Sequence, residues 1–191
     1  MTLYLIIIVA ANIVIDVLNV VFVCGIWYEI VLWTAFSTLV AFVIDLLLAV
    51  FIRKMPEKLF RPEKKIFTIY DFEKNLYEKT GIKFYKDKIP ELGKYSGFRK
   101  NHVAEPKNPQ YLYRFMTECC YGEVIHLVSV PLGFISMFCM PKALWLTSGV
   151  YVAIVNAMLC ILPYFVLRYN RKKLSVLYKF EIGRASCRER V

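Results

Sequence analysis

The sequence predicts an all-α integral membrane protein. Four transmembrane helices are expected, with a cytoplasmic interfacial segment of short helices and loops between helices 2 and 3. Three observations carry that expectation. The 191 residues are 58% hydrophobic and 16% aromatic, against about 45–50% apolar in an ordinary soluble domain. The first Lys or Arg is Arg53, and only Asp16, Glu29 and Asp45 carry charge before it. The net charge of +10 is gathered into runs that abut apolar stretches, the pattern of loops that stay on the cytoplasmic side.

Each element follows from bilayer thickness, since a helix needs about 20 apolar residues to cross. Residues 3–23 form the first span and residues 30–52 the second, joined by the link at residues 25–29. The third span covers about residues 121–140 and the fourth residues 144–167. Pro131 and Pro163 lie inside these spans, where proline kinks a helix without forbidding it. The chain divides into a hairpin at residues 1–52, a basic aromatic segment at 53–117, and a second hairpin at 118–180 with a basic end.

Orientation follows from the basic residues. Arg53 to Arg114 holds sixteen Lys/Arg against eight Asp/Glu, and Arg168, Arg171, Lys172, Lys173 and Lys179 form a second run. The two short links hold only Lys142. Both termini and the middle segment are therefore expected in the cytoplasm of a multi-pass cell-membrane protein. The same runs argue for anionic lipid as a partner and against nucleic acid, because they adjoin the spans.

The middle segment is too aromatic for disorder. Phe72, Leu76 and Tyr77, interleaved with Lys74, Glu78 and Lys79, predict a short amphipathic helix that Gly81 ends. Such helices are expected at the interface, with rings in the headgroup layer and lysines reaching lipid. The six cysteines form no metal-type pair and read as small apolar residues. Neither a signal peptide nor a metal site is expected. Residues 181–191 resemble the translation of a short-read sequencing adapter, so they are set aside from the fold reading.

Three groups of residues could carry chemistry. Glu118, Glu123 and His126 fall on one side of the third span, with Glu123 and His126 three apart. A carboxylate beside a histidine fixes its tautomer, and the pair could take a proton from a hydroxyl. Equally, the pair could be a structural anchor for the helix end. Arg168-Tyr169-Asn170-Arg171 ends the fourth span. It reads either as a snorkelling basic cap or as a clamp for a phosphate or a sugar. Asp87 and Lys88, in Lys86-Asp87-Lys88-Ile89-Pro90, follow Phe84 and Tyr85. Asn12, Asp16 and Asn19 share one side of the first span and Asp45 lies in the second, as interhelical glue or as a proton path.

Together these motifs resemble a known family. They comprise Pro56-Glu57-Lys58-Leu59-Phe60-Arg61, Phe72-Glu73-Lys74, Ile82 through Pro90, Thr117-Glu118 through Gly122-Glu123-Val124-Ile125-His126, and Arg168-Tyr169-Asn170-Arg171. The order is similar to that of the glycosyl-4,4'-diaponeurosporenoate acyltransferase family, bacterial membrane proteins of staphyloxanthin synthesis, over about residues 55–174. The resemblance implies transfer of a fatty acyl group to a sugar hydroxyl of a glycosylated, carotenoid-type lipid. It implies no cofactor beyond the donor, acyl-CoA or acyl carrier protein. His126 would be the base, oriented by Glu123, with Glu118 holding the sugar or the imidazolium. Arg168, Asn170, Arg171, Lys88 and Asp87 would bind substrate. His102, in a polar loop, is the alternative base. The rival expectations are a non-enzymatic membrane adaptor or assembly protein and, further off, a small transporter using Asp16 and Asp45.

Overall fold

In the computed structural model, residues 2–23, 26–89 and 103–188 are described. His102, Pro90, Tyr95, Phe98, Cys24 and Gly25 lie outside them. The described residues are mostly helical, with no strand among them. α1 is Thr2–Val23, α2 Trp27–Arg53, α3 Asp71–Lys79, α4 Ile82–Tyr85, α5 Pro109–Gly133 and α6 Val150–Arg188. Four helical stretches are long and apolar enough to cross a membrane: Leu3–Phe22, Trp27–Arg53, Pro109–Cys139 and Lys142–Arg184. The all-α, four-span expectation therefore holds.

Three boundaries differ from the sequence reading, each for a local reason. The second helix starts at Trp27, because Ile26 leads straight into it: the Glu29 amide donates to the Ile26 carbonyl at 3.1 Å. Glu29 then sits in the first turn, where a helix favours an anion. The third helix starts at Pro109, well before the apolar stretch. Asn108 caps it, its Oδ1 accepting from the amides of Gln110 at 3.0 Å and Tyr111 at 3.3 Å. Proline in the first turn costs no hydrogen bond. The fourth begins with a 3-10 turn, Lys142–Leu144, and one π turn, Trp145–Gly149, then runs on as α6 past the apolar stretch to Arg188.

The chain divides into two compact units, Met1–Lys54 with Ile125–Leu162, and Met55–Val124 with Pro163–Val191. In the first unit the helices meet through polar contacts inside an otherwise apolar bundle. Asn12 Nδ2 donates to Thr38 Oγ1 at 3.1 Å, and Ser37 Oγ to the Ser136 carbonyl at 3.1 Å. Asn19 Nδ2 reaches the Thr147 carbonyl at 2.7 Å, and Cys160 Sγ lies 3.8 Å from Asp45 Oδ2. Asn12, Asn19 and Asp45 thus act between helices, as polar groups in lipid are expected to. Ile30, Met140 and Leu144 form a buried apolar cluster with Val20, Trp33 and Trp145 packed on it.

Gly149 marks a close approach in this unit. A β-carbon there would lie 2.7 Å from Met137 Cβ and 3.1 Å from its Cα. Backbone cannot retreat as a flexible side-chain end can, so Gly149→Ala is expected to cost about 1–3 kcal/mol by overpacking. A lower melting temperature in detergent checks this; an unchanged one would mean that the turn gives way freely.

The second unit has its own core. Leu112, Phe115, Met116 and Cys119 of α5 pack with Leu174 of α6, and Leu167, Leu177 and Tyr178 close over them. Hydrophobic residues thus continue at helical spacing beyond the spans, which is why both helices continue. Phe60 stacks on Tyr121 with ring centroids 3.9 Å apart, and the Tyr121 hydroxyl donates to the Met55 carbonyl at 3.1 Å. Cys119 and Cys120 are buried free thiols, as the composition led one to expect.

The expected amphipathic helix exists as α3, and Gly81 follows it at φ 72° in the left-handed region. Its apolar residues divide between two sides. Tyr77 is buried, whereas Phe72 and Leu76 face outward.

Candidate functional site

α3, α5 and α6 together bury a network of two carboxylates and two guanidinium groups in the second unit. Arg168 and Arg171 stand three apart on α6 and so share a face. Glu123 of α5 meets both. Arg171 grips it bidentately, Nε to Oε1 at 2.6 Å and Nη2 to Oε2 at 3.0 Å, and Arg168 Nη1 lies 3.4 Å from Oε2. Arg168 turns its other donors to α3. Nε reaches Glu73 Oε2 at 2.9 Å, and Nη2 reaches Glu73 Oε1 at 3.0 Å and the Thr68 carbonyl at 2.9 Å. The planar fork of arginine suits such bridging, where a lysine could not serve two carboxylates at once.

Burial makes these contacts matter. Glu123, Arg171 and Arg168 are only 2%, 4% and 7% exposed. Charges so removed from water persist only when paired and hydrogen-bonded. The four formal charges balance. Aromatic rings line the group: Phe67 lies 5.6 Å from the Arg171 guanidinium carbon and Tyr164 lies 5.7 Å from that of Arg168, within cation–π range.

Glu73 is held from several directions. Burial by itself would raise its carboxyl. The Tyr70 amide, the Tyr77 hydroxyl and the Arg168 guanidinium outweigh that and hold it below its ordinary value. The Tyr77 hydroxyl donates to Glu73 Oε2 at 2.8 Å, and its ring lies 5.4 Å from that of Phe165. Burial, then the neighbouring Glu73 carboxylate, push the Tyr77 phenol well up, so it remains a donor at neutral pH. Beside this group Lys172 Nζ pairs with Asp71 at 2.9 Å and approaches the Ile69 carbonyl at 3.4 Å. The start of α3 is therefore latched to α6 by two ion pairs and two carbonyl contacts.

The network brings together Glu123, Arg168 and Arg171 of the residues singled out from the sequence. The two arginines direct donors inward, onto Glu73, Glu123 and Thr68. Asn170 is buried on α6 and takes no part in these ion pairs. Glu118 is half-buried on α5. Asp87 and Lys88 are exposed and outside the network, Asp87 lying 3.6 Å from Lys86 Nζ and Lys88 lying 4.2 Å over the Phe84 ring. His126, one helical turn beyond Glu123 along α5, is half-buried in the first unit. His102 lies outside the described residues. The sequence placed Glu73 only within the Phe72-Glu73-Lys74 motif and Tyr77 only on the apolar side of a short helix, and it paired neither with Arg168. The available signal was an acid in the first turn of a predicted helix with a tyrosine four residues on, which is common enough to pass unnoticed.

The model of the glycosyl-4,4'-diaponeurosporenoate acyltransferase family matches residues 62–179. That segment contains the whole network and stops before the adapter-like string at 181–191. No curated protein and no solved structure matches the chain.

Proposed function

Since the chain belongs to the glycosyl-4,4'-diaponeurosporenoate acyltransferase family, we propose that it is a membrane acyltransferase that esterifies a sugar hydroxyl of a glycosylated lipid. The observation that carries this reading is the family match over residues 62–179, which takes in the whole buried Glu73–Arg168–Glu123–Arg171 network. The fatty acyl donor is a thioester, acyl-CoA or acyl carrier protein, and the acceptor is a carotenoid-type glycoside. The basic face and both termini lie in the cytoplasm of a cell-membrane protein.

In this mechanism His126 takes the proton from the sugar hydroxyl as its oxygen attacks the thioester carbonyl. The new C–O bond forms, the C–S bond breaks, and the proton passes from His126 to the departing thiolate. Glu118 holds the sugar or the imidazolium. Arg168 and Arg171 act chiefly by holding Glu123 and the α3 segment in place. Asn170, Lys88 and Asp87, which lie outside the Glu73–Arg168–Glu123–Arg171 network, contact the substrates.

The test is direct. Full-length protein in nanodiscs, given radiolabelled acyl thioester and a glycolipid, should form the ester, and His126→Ala should abolish it while the protein still elutes as a folded species. Full activity in that variant, with loss in His102→Ala, would transfer the base to His102. The inward direction of the arginine donors favours a second reading, a non-enzymatic adaptor. That reading predicts no ester from the wild type with any acyl thioester.

A further inference from the structure

The α3 segment carries an apolar ridge that the network does not use. Tyr70, Phe72 and Leu76 are 58%, 67% and 52% exposed. Tyr70 and Phe72 stack with ring centroids 5.8 Å apart. Phe72, Leu76 and Lys79 recur at helical spacing and form one stripe. At 100° per residue that stripe lies about 100° around α3 from Glu73 and Tyr77, the side clamped to α6. A helix fixed along one side thus offers an apolar side at a set angle. Ile66, in the turn before α3, and Phe84, on α4 after it, are also exposed. So are Lys64, Lys65, Lys79 and Lys83. In water such a cluster would be an aggregation liability.

Position identifies the occupant. The clamp residues Arg168 and Lys172 directly follow the apolar run of α6 that ends at Leu167. A helix changes from apolar to basic where it leaves the hydrocarbon for the headgroups. The ion pairs to Glu73 and Asp71 tie the start of α3 to that end of the apolar run. Aromatic rings interleaved with lysines suit that layer: the rings enter the acyl boundary, and the lysines extend their stems toward lipid phosphates. We propose that the Tyr70–Phe72–Leu76 ridge docks onto the headgroup layer of the protein's own bilayer, with anionic phospholipid bound by Lys79 and its neighbouring lysines.

Photo-crosslinking on the full chain tests this. A benzoylphenylalanine placed at Phe72 or Leu76, in nanodiscs containing phosphatidylglycerol, should give a protein–lipid adduct by intact mass. The same group at Glu78, on the far side of α3, should give several-fold less. Replacing phosphatidylglycerol with phosphatidylcholine, or raising the salt, should lower the yield at Phe72, because surface attraction decays within a Debye length. Retained α-helical content and elution volume exclude loss of fold. Equal yields at Phe72 and Glu78, an adduct to a second copy of the chain, or a yield indifferent to headgroup charge would each overturn the proposal.

Discussion

Replacing Glu123 with alanine is expected to lower the unfolding free energy by about 3–5 kcal/mol. The cause is the stranding of its partners rather than the lost contact alone. Arg171 donates two hydrogen bonds to this carboxylate and Arg168 a third, longer one. Both guanidiniums are nearly shut off from solvent, and neither can shed its charge. Removing the carboxylate leaves a buried excess of positive charge. Glu123→Gln keeps the shape and one acceptor and should cost less. Adding Arg171→Met to Glu123→Ala should recover part of the loss, because a buried pair replaced by apolar side chains is often tolerated. Thermal unfolding in detergent, followed by fluorescence, reads all three variants. A Glu123→Ala protein as stable as wild type would mean that water reaches these arginines.

Glu73→Gln should loosen α3 and change how stability responds to acid. The wild-type Glu73 carboxyl titrates below its ordinary value of 4.5. A carboxylate depressed in the folded state contributes stability above its unfolded pKa, and that contribution is lost as pH falls through the folded value. The wild type should therefore lose stability as pH drops from about 4.5 downward. The variant, with nothing to protonate there, should show a shallower decline and start from a lower value at pH 7. The local readout is hydrogen exchange. Amides of residues 68–79 should exchange faster in Glu73→Gln, while those of α1 and α2 stay unchanged. Identical acid profiles for the two proteins would remove Glu73 from the folded-state pairing.

Much of the candidate site was legible in the sequence as residue types, but not as partnerships. Glu123 stood out as an ionisable group in an apolar stretch, and Arg168 and Arg171 as a basic pair at a helix end. Spacing along one helix pointed Glu123 toward His126, since only local neighbours can be read from a single chain. The structure gives its carboxylate to arginines 45 and 48 residues away. Glu73 was less legible still. Its partner Arg168 lies 95 residues on, and apart from its place in the Phe72-Glu73-Lys74 motif nothing local distinguishes it from Glu78, an exposed acid on the same helix.

The sequence by itself determined the membrane class, the four helices and the family. Hydropathy over 20 residues responds to bilayer thickness, a constraint every span must meet on its own. Motif order likewise survives without knowledge of contacts. Only the tertiary structure decided how far α5 and α6 extend, because their extra turns are apolar on one face alone and are stabilised by packing against each other. Only it decided which side of α3 faces inward. Phe72, Leu76 and Tyr77 all bring apolar surface to α3, and the ion pairs from Arg168 and Lys172 fix the rotation that buries Tyr77 and leaves the other two outside.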